Sequence, residues 1–281
     1  MTGLSLPPLN IPALLRQYNL RPHKGLGQNF LQDESALQKI VSLADLQPED
    51  SVLEIGPGLG SLTRYLALVS RSVTAVELDE GLFPALTAVL APYSNVRLVH
   101  GDILELNPAK LMETSDYVVV ANIPYYITSA VIRHLLESES KPRRVVLTVQ
   151  QEVAERICAG PGEMSLLALS VQVYGKPSIA KTIPAAAFHP APKVDSAVVK
   201  IEIHPQPVIP STHLDNFFRL AKAGFGQKRK TLRNSLGALV GREHAETILA
   251  AAGIDPMRRA ETLSLEEWGK ISEQCSVNSN Q

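Results

Sequence analysis

The stretch Val52-Leu53-Glu54-Ile55-Gly56-Pro57-Gly58-Leu59-Gly60-Ser61-Leu62-Thr63 decides the fold. Its first four residues read as a strand, the next five as a glycine loop, and Ser61–Leu68 as a helix. Strand, glycine loop and helix in direct succession form the opening unit of a nucleotide-binding α/β sheet. Glycine lets the loop backbone approach a ligand closely, and the helix N-terminus offers free N–H groups. The spacing G-x-G-x-G, with an acid ahead of it at Glu54, departs from the dinucleotide pattern G-x-G-x-x-G. It points to a cofactor without a pyrophosphate, such as S-adenosylmethionine, lying against Gly56 and Gly58. A tight turn with no ligand is the plain alternative.

Working outward, a second strand, Val73-Thr74-Ala75-Val76, ends in Glu77, 21 residues after Gly56. A carboxylate at that tip can accept two hydrogen bonds from ribose hydroxyls. A third strand, Val96–Val99, leads to Asp102, which can accept an adenine amino group or cap the following turn. The fourth, Tyr117–Ala121, stops at Asn122-Ile123-Pro124-Tyr125. Ligands of open α/β sheets bind just past the carboxyl ends of strands. An exocyclic base amine is a weak nucleophile because its lone pair is delocalised into the ring. The Asn122 side-chain oxygen and the neighbouring backbone carbonyl can both accept its hydrogens and aim that lone pair. Pro124 holds the backbone extended, Tyr125 offers a ring for stacking, and Thr128 or Ser129 is expected to cap the helix that follows.

Upstream, Lys24-Gly25-Leu26-Gly27-Gln28-Asn29-Phe30-Leu31 reads as a loop leading to a helix capped by Asp33. Its functional reading is a lid: Gln28 and Asn29 touch a ligand while Phe30 and Leu31 pin the segment to the core. Downstream, the fifth strand is Val145–Val149, followed by a helix, Gln151–Cys158. Leu166–Tyr174 and Ser196–Ile203 are expected to be an antiparallel strand pair. Between them, the proline-fixed segment Phe188–Ser196 could present Phe188 as a second aromatic wall for a flipped base. The prolines of His204–Ser211 read as a linker, and the pattern beyond is helical at 213–223, 228–238, 243–252 and 264–273. The expected domains are 1–205, an α/β sheet, and 206–281, all helical.

The net charge of −1 hides an uneven distribution. Between Leu214 and Arg242 seven basic residues stand against one acid, Asp215. Lys222, Lys228, Arg229, Lys230 and Arg233 are therefore candidate contacts to a nucleic-acid backbone, against the alternative of a merely solvated helix face. Cys158 and Cys275 fit no metal-ligand spacing, so no metal is expected, and reduced thiols in a cytoplasmic setting are. No signal peptide or transmembrane-length apolar run is read, and a monomer is expected.

These stretches resemble the ribosomal RNA adenine dimethylases, nearly from end to end. The resemblance rests on Lys24–Leu31, Val52–Thr63, Glu77-Leu78-Asp79, Gly101-Asp102, Asn122–Tyr125, Phe188–Val199, Phe225–Leu236 and Arg259–Leu265. Two positions depart from it: Gln151 and Lys228 replace a usual lysine and arginine. The resemblance implies a Rossmann-like methyltransferase sheet with a small helical C-terminal domain. It also implies dimethylation of two adjacent adenines near the 3′ end of 16S rRNA, in the small subunit or its precursor. By motif position, Asn29, Leu31, Gly56, Glu77, Asp102 and Asn122 would line the cofactor. Asn122, Ile123, Pro124, Tyr125 and Phe188 would hold the target adenine. A large-subunit adenine methyltransferase of the antibiotic-resistance type stays open, as does a non-catalytic RNA-binding assembly factor. An oxidoreductase using NAD is disfavoured by the glycine spacing.

Overall fold

The structure, a computed structural model, describes residues 6–123 and 127–277, the last two by backbone alone. Among these, the strands are β1 Phe30–Leu31, β2 Ser51–Ile55, β3 Ser72–Glu77, β4 Val96–His100, β5 Tyr117–Asn122, β6 Arg144–Gln150, β7 Gly175–Ile183, β8 Phe188–His189 and β9 Ser196–Ile203. The early helices are α1 Ile11–Gln17, α2 Glu34–Ala44, α3 Ser61–Val69, α4 Phe83–Leu90, α5 Pro108–Met112, α6 Thr128–Glu137 and α7 Gln151–Ile157. The later ones are α8 Leu166–Gln172, α9 Ser211–Phe225, α10 Leu232–Val240, α11 Arg242–Ala251 and α12 Leu265–Val277.

Seven strands form one sheet in the order β4-β3-β2-β5-β6-β9-β7, and β1 pairs with β8 in a separate two-stranded ribbon. Strands β4, β3, β2, β5 and β6 run parallel, and β9 runs antiparallel to β6. The fold is Rossmann-like: the chain builds outward from β2 to β3 and β4, then returns to lay β5 on the other side of β2. That reversal opens a crevice between the carboxyl ends of β2 and β5. Register pairs Ile55 with Ala121, so Gly56 stands opposite Asn122 across the crevice.

Burial explains why the parallel strands were readable. On one face Val52, Val118, Val120, Val146 and Val198 pack under α2 and α3, against Leu37, Ile40, Val41, Tyr65 and Leu66. The alternate residues Leu53, Val119 and Leu147 face the other way and are equally buried. Such two-sided burial produces continuous apolar runs in sequence. A smaller cluster joins α1 to the glycine loop through Ile11, Leu15, Phe30, Leu59, Leu82 and Ala85. The edge strand β7 is exposed along most of its length and carries Lys176 and Lys181, a composition that discourages edge pairing.

The chain divides into two compact units, one of residues up to Ala154 with Ser178–Ile203, the other of Glu155–Pro177 with His204 onward. The second unit is built on α8–α12. Within it, α9 approaches α12 where Gly224 faces the Trp268 ring, leaving no room for a side chain. Ser264 and Glu267 cap α12 reciprocally, the Glu267 carboxylate accepting from the Ser264 N–H at 2.8 Å and the Ser264 hydroxyl from the Glu267 N–H at 3.2 Å. Glu267 also takes both guanidinium arms of Arg258. The proline segment after His204 is tied down there: the His204 and Val208 N–H groups donate to the Tyr174 and Val173 carbonyls at 2.8 and 2.9 Å. Among the described residues no helix is long and apolar enough to cross a membrane.

Three expectations are corrected. Leu166–Gln172 is a helix, α8, capped by the Ser165 hydroxyl on the Ala168 N–H; β9 instead pairs with β6 and neighbours β7. Four of its residues, Leu167, Ala168, Leu169 and Val171, are buried; Leu169-Ser170-Val171-Gln172 alternates apolar and polar as a strand would, and a helix this short shows no period to set against it. Residues 228–230 form no helix; they lie in the turn before α10, which starts at Leu232 after Thr231. Finally, α6 begins at Thr128 with Ile127 in the cap position, so neither Thr128 nor Ser129 caps it.

Candidate functional site

A cleft lies at the crevice between β2 and β5, wholly within the first unit. Its floor is the glycine loop. Gly56, Gly58 and Gly60 hold φ of +70, +59 and +83°, values that side chains resist. A Cβ on Gly58 would stand 2.9 Å from the Phe30 ring. The loop is closed by hydrogen bonds from the Gly56 N–H to the Val76 carbonyl and from the Gly60 N–H to the Pro57 carbonyl, both 2.9 Å.

Three acids converge on this cleft: Glu54 in β2, Glu77 ending β3, and Asp102 just beyond β4. Glu54 is 1% exposed and its Oε2 has no hydrogen-bond partner among the described residues. Burial pushes its carboxyl up to about 8, and the nearby Glu77 charge adds in the same direction. Glu77 is 7% exposed. Its two oxygens accept the Gly58 N–H at 3.0 Å and the Asp79 N–H at 2.9 Å. Burial raises its carboxyl too, while those two N–H groups pull it back. Each oxygen keeps a second lone pair, enough for a diol. Asp102 caps its own turn, one oxygen accepting the Leu104 N–H at 2.9 Å, and still lines the cleft. No lysine or arginine is among the described cleft-lining residues, and none of the three acids has an ion-pair partner among the described residues.

The segment from Leu26 to Leu31 covers the cleft. Asn29 and Leu31 line it, as does Gln28, whose amide nitrogen donates to Asp79 Oδ2 at 2.6 Å. The Asn29 carbonyl accepts from Asn122 Nδ2 at 3.3 Å. That bond fixes which end of the Asn122 amide is the donor, and leaves Oδ1 without a partner among the described residues. Ile123 lines the cleft beside it; Pro124 and Tyr125 lie outside the described residues. Phe188 is 3% exposed, paired in register with Leu31 and packed in the same apolar cluster, and it is not among the cleft-lining residues.

Sequence reading missed the apolar walls. Leu78 follows Glu77 and Ile103 follows Asp102, and both line the cleft with Leu82 and Ile127. The signal was present as an apolar residue directly after each strand-tip acid.

In the second unit, Lys222 sits in the last turn of α9, and Lys228, Arg229 and Lys230 follow in the turn, all exposed. Arg233 differs: its guanidinium stands 3.6 Å from Glu246, which also faces Arg242 at 3.7 Å.

The sequence profile of the ribosomal RNA adenine dimethylases matches residues 19–276. The chain is 49% identical over 258 residues to a ribosomal RNA small subunit methyltransferase A of Dehalococcoides mccartyi, covering 91% of this chain and 89% of that protein. Its identity to the protein of the same name from Moorella thermoacetica is 45% over 273 residues, covering 92% and 94%. A dimethyladenosine transferase structure from Plasmodium falciparum superposes with a TM-score of 0.78 at 25% identity, over 89% of this chain and 98% of that one. The 23S rRNA methyltransferase ErmE superposes at 0.72 with 28% identity, over 88% and 100%. With this match over most of its length, the chain belongs to the ribosomal RNA adenine dimethylase family.

Proposed function

We propose that the cleft holds S-adenosylmethionine and that this enzyme dimethylates N6 of two adjacent adenines near the 3′ end of 16S rRNA during small-subunit biogenesis. The observation that carries the reading is the pair of buried acids, Glu54 and Glu77, with no cationic partner among the described residues, next to Asn122, whose Oδ1 has no partner among them either. Such a site accepts a ligand that brings its own positive charge. The residues fit the cofactor: Gly56 and Gly58 let it lie close, Glu77 takes the ribose hydroxyls, and Asp102 the adenine amino group, with Asn29 and Leu31 completing the wall.

Held there by Glu77, Asp102, Asn29 and Leu31, the cofactor would supply an electrophilic methyl group, its sulfur keeping the electron pair of the S–C bond when the N6 lone pair takes the carbon. The target adenine leaves its stack to reach the cleft. Asn122 Oδ1 and the Ile123 or Pro124 carbonyl accept the N6 hydrogens and aim the lone pair. The methylated nitrogen releases its proton to water, so no general base is assigned. Tyr125 stacks on one face of the base. Phe188 is assigned to the other, which requires its ring to leave the cluster it shares with Leu31. Lys222, Lys228, Arg229 and Lys230 take backbone phosphates, with Arg233 contributing less because Glu246 already faces it.

The test is methyl transfer from labelled S-adenosylmethionine to small and large ribosomal subunits lacking their adenine modifications, with mass mapping of the products. Dimethyladenosine at two adjacent 16S positions supports the reading. Transfer to large-subunit RNA alone moves the enzyme to the large-subunit, antibiotic-resistance type, and RNA binding without transfer to either removes the catalytic assignment.

A further inference from the structure

The segment over the cleft crosses the tips of three neighbouring strands. The β1–β8 pairing fixes its C-terminal end, Phe30 opposite His189 and Leu31 opposite Phe188. The Asn29 carbonyl bonds Asn122 at the tip of β5, and the Phe30 ring rests on Gly58 at the tip of β2. At the β3 tip the tie is a side chain, Gln28. Its Oε1 accepts the His23 N–H at 2.7 Å and its Nε2 donates to Asp79 Oδ2 at 2.6 Å, a partner 51 residues away. The backbone before it, Lys24–Leu26, is one 3-10 turn closed on itself by the Leu26 N–H on the His23 carbonyl at 3.1 Å and the Gly27 N–H on the Lys24 carbonyl at 3.0 Å, bonds that hold the turn's shape and do not reach the β3 tip.

Asp79 in turn is fully engaged. Its Oδ1 accepts the Gly81 N–H at 3.0 Å, and its own N–H donates to Glu77 Oε1 at 2.9 Å. The chain of bonds therefore runs from His23 through Gln28 and Asp79 to the carboxylate assigned to the ribose.

We propose that Gln28 is a positioning residue that latches this segment to Asp79 and so keeps the cofactor cleft preassembled. The proposal rests on reading the cleft as the S-adenosylmethionine site. Gln28 acts through Asp79 and Glu77 and not by touching the reacting atoms. Without the latch, binding must order the segment, so the apparent affinity falls with the fraction of molecules already closed. Chemistry at N6 uses Asn122 and is untouched once the cofactor is bound.

The donor and acceptor pattern gives a direct test by exchange. Gln28→Glu sets a carboxylate against the Asp79 carboxylate. Asp79→Asn keeps the Gly81 bond on its oxygen and turns an NH2 toward the Gln28 NH2. In the double variant, the carboxylate introduced at position 28 accepts from both the His23 N–H and the amide introduced at position 79, and the latch re-forms. Equilibrium binding of S-adenosylmethionine to the isolated full chain is measured for all four proteins, with thermal midpoints and steady-state kinetics. Each single variant is expected to bind about tenfold more weakly, with KM for the cofactor raised and kcat within about twofold. The double variant is expected to recover most of the affinity, a result that general loss of structure would not give. Wild-type affinity in both single variants, or a double variant that binds no better than the weaker single one, overturns the latch. Absence of binding by the wild type would remove the cofactor reading and the latch with it.

Discussion

The two ends of the central sheet carry the same residue types in opposite electrostatic states. At the amino end the acids are answered by cations inside the protein. Arg143 reaches Asp50 at 2.6 Å and Asp116 at 2.9 Å. Arg144, opening β6, meets Glu202 at 2.9 Å and donates to the Ala44 carbonyl at 2.7 Å. Although partial burial opposes it, Lys200 and Arg144 hold the Glu202 carboxyl below its usual range. At the carboxyl end Glu77 and Asp102 meet backbone N–H groups, and no cation among the described residues answers Glu54. Burial drives Glu54 and Glu77 upward instead. A protein keeps buried acids without cations at a cost in stability, so the uncompensated end marks where a ligand completes the arrangement.

The contrast can be broken from either end. The largest effect is expected at Asn122. Asn122→Ala removes the Oδ1 assigned to the N6 hydrogens and should lower the single-turnover methylation rate on the order of 10²- to 10³-fold, while cofactor affinity changes far less. A rate near wild type would remove Asn122 from the chemistry. Next, Glu77→Gln replaces an acceptor for two N–H groups by one that also presents NH2, and removes the charge. Cofactor affinity should fall by tens of fold in a binding titration. At the opposite end, Arg143→Ala leaves Asp50 and Asp116 without their cation. Unfolding free energy should drop by about 1 kcal/mol, because the pair is partly solvated, with no change in cofactor affinity. A change in affinity there would erase the distinction between the two ends.

How much of this was legible in the sequence follows from burial. Strands β2, β3, β5 and β6 announce themselves because each is covered on both faces, whereas β4, at the sheet edge, has no fully buried residue and shows only as a short β-prone run. The glycine loop, Glu77, Asp102 and Asn122 were visible because strand tips place them by position. Three features were not. The α8 stretch alternates apolar and polar from Leu169 to Gln172, as a strand would, and is too short to show a helical period. Phe188 sits in an exposed-looking proline segment, yet its pairing with Leu31 buries it. Gln28 shows its meaning only through Asp79, far along the chain, and no local pattern marks a contact of that range.

Glu54 gives the most direct test of the central claim, that the acidic cleft awaits a cationic cofactor. Folding raises its carboxyl from an ordinary 4.5 to about 8. Its contribution to the stability of the cofactor-free protein is thus full below about 4.5 and lost as pH rises through 8. Glu54→Gln should flatten that decline. A cation in the cleft favours the ionised carboxylate and lowers its pKa, so binding near pH 7 should release protons. The measurement is calorimetric titration of S-adenosylmethionine into the isolated protein from about pH 6 to 9, for wild type and Glu54→Gln. Saturable one-site binding that tightens with pH up to about 8, with proton release absent in the variant, is the expected result. No binding, or an affinity independent of pH across that range, would contradict the account.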